Sequence, residues 1–400
     1  MPLLTKPQIT KQLSVLPNCN ACGAAAKCRS PKLTWPGKQA DIVFVVDGVE
    51  QDSPSGLQDS PYNRLDGLCK RVGIEMRDYA LVPASACFGA SEEAWRHCQP
   101  LMASELSRLR PRVVIPFGSK ATQSVVGRFW QRPAELFDRW YGHQIPCQQL
   151  NAWICPVGIV APQKGQMDIS QMWAYRWLRD AVRLTGRPWD HGVPDIKDCV
   201  TVLTDPAKIG QFLTQAATLD LSAFDYETNG IKPEFQGMRI WTMSIAFVAE
   251  GELRSVAFPV YKEHHDRIRA YLESPGKKIA ANMKFEARWS YQKLGVWPKN
   301  LWFDTMQAAH IENPMSGITG LKFQAFARLG VPFFADEVEK YFHSEENSQP
   351  NNIAAAPLVP LLTYNGIDSA VELILASVQM VEAELVKEHF VPKKYLPHLR

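Results

Sequence analysis

No stretch of this 400-residue chain approaches the roughly 18 uninterrupted apolar residues of a membrane-spanning helix. Its first residues, MPLLTKPQITKQ, lack the apolar core of a secretory signal. A cytoplasmic protein without a membrane partner is therefore expected. No internal repeat is evident, which argues against a solenoid or propeller. The cysteines number nine, an odd count in a chain without a signal sequence, so a disulfide framework is not expected. The net charge of +3 is too small to name a partner.

What is present is core material. The chain is 46% hydrophobic and 21% charged, which excludes a wholly disordered or collagen-like protein. Its length suits two domains. TGRPWDHGVPDIKD, residues 185–198, is rich in Gly, Pro and charge, and it separates a helical pattern from a β-rich one. It places a boundary between residues 1–190 and 191–400. Through Asp195 there are 23 Lys and Arg against 17 Asp and Glu, so the positive excess sits in the first half and permits contact with phosphates. SEENSQPNN, residues 344–352, reads as a loop inside the second domain.

The fold class is α/β throughout. In the first domain DIVFVV, DYALVP, RVVIPF and AWICPV read as strands, alternating with helical patterns such as RLDGLCKRVG and SKATQSVVGRF. That alternation predicts a parallel sheet covered on both faces, an α/β/α sandwich. In the second domain LSAFDYE, RIWTMSIAFV, LRSVAFPV and KKIAAN read as strands, the second and third as a hairpin, with mainly helical patterns after them. A mixed sheet with helices packed on it is expected.

Chemistry is concentrated in acidic residues of the second half. Asp225 and Glu227 stand two apart on a predicted strand, so both carboxylates share one face. Adjacent carboxylates at a buried strand end repel each other unless a divalent cation lies between them. Glu286 follows a short apolar strand at the start of a helical pattern. Tyr364 and Asp368 stand at i and i+4 on a long predicted helix and so share a helical face. Convergence of the four carboxylates and the tyrosine would create a two-metal site for phosphodiester hydrolysis. Phe224 and Phe285 are expected in the core.

The three segments FDYET, NMKFE and YNGID resemble, in order, the exonuclease motifs of the DEDD superfamily. They are most similar to the tyrosine-bearing branch in the proofreading domain of family A DNA polymerases. FDTMQAAHIENP and ITGLKFQAFARLGV resemble that family's intervening helices, and the resemblance covers roughly residues 196–390. It implies an RNase H-like mixed-sheet domain that removes nucleotides 3′→5′ with two Mg²⁺ or Mn²⁺ ions. Asp225, Glu227, Glu286 and Asp368 would be metal ligands, Tyr364 would orient the attacking water, and Asn282 and Lys284 would meet the substrate. The family has Asp where this chain has Glu286, which moves that carboxylate about one methylene further out.

Cys19 and Cys22 form a Cys-x-x-Cys pair, and Cys87 and Cys98 lie close together further on. Four thiolates would suit zinc or an iron–sulfur cluster, and spacing does not choose between them. The surrounding block, from ASACFGASEEAWRHC to GSKATQSVVG, resembles the iron–sulfur uracil-DNA glycosylases of the family 4 and 5 type. The resemblance implies a [4Fe–4S] cluster on Cys19, Cys22, Cys87 and Cys98, with Cys28 a substitute for Cys22 and zinc an alternative. Tyr62 corresponds to the aromatic that stacks on a flipped base. Asp47, Gly48 and Glu50 stand near the family's first catalytic loop. Pro83 and Cys155 replace the asparagine and histidine that read the base and support its departure. Cys69, Cys147, Cys155 and Cys199 are expected as small buried side chains. Trp130, Trp140, Trp173 and Trp177 lie among arginines, with core packing expected for each.

Together these resemblances imply a metal-dependent DNA 3′→5′ exonuclease with a glycosylase-like DNA- or polymerase-binding domain. A bifunctional enzyme that also excises uracil and a non-catalytic replication subunit are the alternatives. The same domain order resembles the N-terminal part of some bacteriophage polymerases, placing such a protein in a bacterial host. A separate polymerase is then an expected partner, beside single-stranded DNA or a primer 3′ end.

Overall fold

The computed structural model describes residues 34–48, 60–87, 94–159, 169–186, 194–335, 337–344 and 348–396, with Cys22 and Glu346; in 60–62 this covers the backbone alone. The chain divides into two compact units: Met1–Asp190 with Phe326–Pro332, and His191–Ala325 with Phe333–Arg400.

The first unit has strands β1 (Gln39–Val46), β2 (Tyr79–Pro83), β3 (Val113–Phe117), β4 (Ile145–Cys147) and β5 (Ala152–Ile154), in the order β2-β1-β3-β5-β4. Its helices are α1 (Ser60–Arg71), α2 (Ala94–Leu109), α3 (Ser119–Trp130) and α4 (Ser170–Arg183). Alternation along β1 decides the layers. Ile42, Phe44 and Val46 share a core with Leu65 and Leu68 of α1 and Ala174 and Leu178 of α4. Val43 and Val45, equally buried, serve the opposite face, where α2 and α3 lie. The result is the expected α/β/α sandwich.

Three details depart from the sequence reading. The sheet is parallel except at β4, which pairs antiparallel with β5. The two are joined by a short turn with Asn151 at φ 49°, too short for a parallel crossover. β5 stops at Ile154, before Pro156, and Val157 returns as an isolated bridge to Phe117; proline has no N–H for the ladder. Trp130 and Trp140 are buried as expected, but Trp173 on the outer face of α4 is exposed and Trp177 is half-buried.

The second unit holds β6 (Val200–Val202), β7 (Leu221–Thr228), β8 (Ile240–Ala249), β9 (Glu252–Pro259), β10 (Lys277–Ala280) and β11 (Leu301–Asp304), ordered β11-β10-β7-β8-β9-β6. β7–β8 and β8–β9 are antiparallel and the other pairs parallel, giving the expected mixed sheet. The β8–β9 hairpin turns at Glu250 and Gly251, both with positive φ, as a tight primed turn requires. Its helices are α5 (Pro206–Ala216), α6 (His265–Glu273), α7 (Met283–Trp289), α8 (Thr305–Glu312), the first five residues of α9 (Leu321–Leu329) and α10 (Leu358–Glu382). Cys199, expected to be buried, is half-buried on the turn that leads into β6.

The two faces of this sheet differ in side-chain size. Phe224, Tyr226, Met243, Ile245 and Phe258 form a bulky core with α5 and α6, each such side chain contributing about 1.5–3 kcal/mol on burial. The other face presents Ala223, Ser244, Ala246, Ser255 and Ala257, which the strand register aligns side by side. Small residues let α10 lie close to the sheet. A Cβ on Gly366 would come within 2.4 Å of Val200 Cγ1, and the Ser244 and Ser255 hydroxyls donate to the carbonyls of Asn365 and Gly366. α10 is long and apolar enough by length and composition to cross a membrane, yet its apolar window is 78% buried against the rest of the protein. It is the core helix of the second unit.

Candidate active site

Close approach of α10 to β7 creates the site. Asp225 and Glu227 share the small-residue face of β7, as their spacing predicts, and Asp368 reaches them from α10. Ligand oxygens of these three carboxylates lie within 4.8 Å of one another, the one such group of three acidic, His or Cys side chains among the described residues. Glu286, in the first turn of α7, is buried and hydrogen-bonds Asp225. Its carboxyl lies outside the group of three but joins the same electrostatic cluster.

Burial raises every proton affinity here, and repulsion adds to it at Asp225, Glu227 and Glu286. Asp225 is pushed up to about 8 by burial and by the charge of Asp368. Glu227 is raised well above the carboxylate range by burial and by Asp225 and Asp368. Glu286 is raised well above the carboxylate range by burial and by Asp225 and Glu227. In the ion-free protein the cluster therefore retains protons at neutral pH.

Tyr364 lies one turn before Asp368 and hydrogen-bonds it. Phe334 and Phe342 contact its ring at 5.9 and 5.4 Å between centroids. Burial and the adjacent carboxylates raise its phenol, so the hydroxyl stays protonated and can orient a water but not act as a base. Asn282, at the N-cap of α7 with φ 59°, and exposed Lys284 flank Glu286 in sequence. Neither makes a described contact with the acidic cluster.

Four participants escaped sequence reasoning. Lys322 of α9 places Nζ 2.5 Å from both Asp368 oxygens and 4.5 Å from the Tyr364 ring centroid, so its ammonium is the local counter-charge. It appears in the sequence as a lone lysine on a short, mainly apolar helix. Asn365 donates from Nδ2 to Asp225 Oδ2 at 2.6 Å and accepts from Thr242 Oγ1, holding the carboxylate in place. Glu372, one turn beyond Asp368, is fully buried, raised well above the carboxylate range by burial and by Asp225, and accepts from the Ala281 N–H. The i, i+4, i+8 run of Tyr364, Asp368 and Glu372 was its available signal. Asp304 accepts from the N–H groups of Asn282, Met283, Met306 and Gln307, tying the start of α7 to the start of α8.

The donor set fits hard divalent cations. It is made of carboxylate oxygens, it is short of positive charge, and Glu286 Oε2 and Glu372 Oε2 are buried without a hydrogen-bond partner.

The first unit disposes of its residues differently. Asp47, just past β1, accepts from the Ala121 N–H at 2.8 Å and caps α3. Gly118, at φ 106°, makes room, because a Cβ there would strike the Asp47 carboxylate. Burial raises the Asp47 carboxyl, opposed by the N–H groups of Ala121, Lys120 and Ser119. Pro83 ends β2 opposite Val46. Cys155 belongs to the apolar core, where burial raises its thiol. Cys87 and Cys98 are buried and Cys22 is half-buried. Cys19, Cys28, Glu50 and the Tyr62 side chain lie outside the described residues.

No protein-family model and no curated protein matches the chain. Among solved structures it is similar to NrnC of Brucella melitensis bound to pGG, with 17% identity over 46% of this chain and 81% of that one at a TM-score of 0.34; NrnC is also known with bound Mg²⁺. It is similar to the catalytic core of Trypanosoma brucei RRP6, mutant C496S, with 14% identity over 52% and 57% of the two chains at 0.36. It is likewise similar to the Trypanosoma brucei RNase D complex with GMP, with 15% identity over 50% and 66% at 0.36.

Proposed function

We propose that the second unit is a metal-dependent 3′→5′ exonuclease acting on DNA, with Asp225, Glu227, Glu286 and Asp368 as its metal-binding carboxylates. The observation that carries the reading is the meeting of Asp225, Glu227 and Asp368 within 4.8 Å on a floor of small side chains. Bound Mg²⁺ or Mn²⁺ supplies positive charge for the attacking and leaving oxygens of a phosphodiester.

The chain's own residues do the rest. Tyr364, protonated and fixed by Asp368 and two aromatic rings, orients the water that attacks the terminal phosphorus. Asn365 holds Asp225 in register with Glu227. Glu286 reaches the cluster from the first turn of α7, where it would join the other carboxylates in holding the cations, so its longer side chain is compatible with the role. Asn282 and Lys284, at the start of α7, are assigned to the strand. The bond from phosphorus to the 3′ oxygen of the penultimate nucleotide breaks, releasing a nucleoside 5′-monophosphate. Digestion of a 5′-labelled oligonucleotide with Mg²⁺ or Mn²⁺ tests the reading. A wild-type protein that leaves it intact with both ions refutes it.

The first unit is assigned to DNA or polymerase binding rather than base excision. In support, Pro83 has no side-chain hydrogen bond to offer a base, Cys155 is in the core, and Asp47 is committed to a helix cap. The Asp225→Ala protein should form no abasic sites in uracil-containing DNA; rapid formation would reverse the assignment. A [4Fe–4S] cluster on Cys19, Cys22, Cys87 and Cys98 is part of the proposal, motivated by two buried thiols in one unit. Anaerobically purified protein should then be brown with about four irons per chain. Stoichiometric zinc would replace iron in the same site.

A further inference from the structure

A cavity of about 650 Å³ opens on the first unit between the start of α2, the last turns of α3 and the segment after α3. Its volume is that of a ligand site, within the usual range of about 300–1,000 Å³. Its walls are not those of a core defect. Arg96, Arg128 and Arg132 line it, with Glu135 the one carboxylate among the described lining residues. Trp95 adds a half-buried indole with the Arg96 guanidinium 5.4 Å from its ring. Gln99 and Gln131 add amides.

The cavity is held by local geometry. Gln131 takes a left-handed φ of 64°, which ends α3 and turns the chain back. A Cβ on Gly127 would lie 3.2 Å from the Arg132 carbonyl oxygen, so glycine there lets the returning segment lie close to the helix. Gln99 is fixed by its donation to the Ser124 carbonyl. Two helices thus present arginines, a ring and amides to one volume.

We infer that this cavity binds a single-stranded nucleic-acid segment, with phosphates on Arg96, Arg128 and Arg132 and a base on Trp95. Guanidinium groups match phosphate geometry, and stacking on an aromatic side chain tolerates any base. The choice of a strand rests on the nuclease reading; the cavity itself does not. The positive excess of the first 195 residues favours the same class of ligand.

The test uses the full chain carrying Asp225→Ala, in EDTA, with a fluorescein-labelled dT twelve-mer followed by anisotropy between 50 and 200 mM salt. Combined Arg96→Gln, Arg128→Gln and Arg132→Gln should weaken binding at least tenfold. They should also flatten the slope of log affinity against log salt by roughly 2, at about 0.7 per single-strand phosphate contact. Trp95→Ala should weaken binding about fivefold or more without changing that slope. Unfolding midpoints within a degree or two of the parent show that the variants fold. Binding within twofold of the parent in both variants, or an unchanged salt slope in the triple variant, overturns the inference. So does equal binding of a polyglutamate peptide of the same length, which would make the site a general anion or acidic-protein surface. Because binding is read without metal, a protein that binds as described yet degrades nothing refutes the nuclease reading alone. One that degrades DNA but binds unchanged after these substitutions refutes the cavity alone.

Discussion

Each unit carries a carboxylate on or just past a central strand, and the two meet different surroundings. Asp47 follows β1 and is met by the N–H groups that begin α3. Asp225 lies on β7 and is met by Asp368, Glu227 and Glu286, with one amide donor from Asn365 and one ammonium on its neighbour Asp368. The first carboxylate is already satisfied and serves as a cap. The second belongs to a cluster with more negative than positive charge, which is where a cation gains most. An acid on or just past a central strand is therefore not a catalytic signal by itself; the donors that meet it decide its chemistry.

The largest expected effect separates the two carboxylates outright. Asp225→Ala or Asp368→Ala should reduce metal-dependent degradation at least a thousandfold, while in Asp225→Ala the metal-free unfolding midpoint stays level or rises because repulsion is relieved. A midpoint that collapses in Asp225→Ala would make that side chain structural. Lys322 comes next. Lys322→Ala leaves Asp368 buried without its counter-ion and should destabilise the metal-free second unit by about 3–5 kcal/mol. Added Mg²⁺ should restore much of that loss. A variant as stable as wild type in EDTA would show that the ammonium is not the local counter-charge.

The third expectation concerns pH. The Asp225 carboxyl is raised to about 8 in the folded protein, against about 3.9 unfolded. Between these values the native state holds more protons than the unfolded state, so stability falls as pH rises. In EDTA the unfolding midpoint of the second unit should drop from pH 5 to pH 8, and each kcal/mol lost moves it roughly 2–4 °C. Mg²⁺ should flatten the profile, with its largest stabilisation at the upper end. A midpoint that rises over the same range in EDTA contradicts the cluster electrostatics. The smallest effect is at Asp47. Asp47→Ala should cost the first unit about 1 kcal/mol, as loss of a helix cap does, and leave nuclease turnover on short strands unchanged.

Much of this was legible in the sequence for a physical reason. Alternation places Asp225 and Glu227 on one face whatever the fold, and a helical turn places Tyr364 over Asp368. The strand segments of both sheets were readable because their apolar runs are long or strictly alternating. β4 and β11, with three and four residues, carried too little pattern to be found. Lys322, Asn365 and Asp304 were hidden because their roles arise between elements distant in the chain. Asn365 meets Asp225 across 140 residues, and Lys322 meets Asp368 across 46. Glu372 was hidden in plain periodicity, one turn beyond the last motif residue. The exposure of Trp173 was missed because a tryptophan beside arginines suits either a core or a surface.

The most direct measurement of the central claim compares one oligonucleotide labelled at its 5′ end with the same strand labelled at its 3′ end, each incubated with the full-length protein and Mg²⁺. The account predicts a ladder that shortens stepwise from the 5′-labelled strand, immediate release of labelled mononucleotide from the 3′-labelled one, and neither in EDTA or with Asp225→Ala. Intact strands in both reactions with Mg²⁺ and with Mn²⁺, or first release of label from the 5′ end, would contradict it.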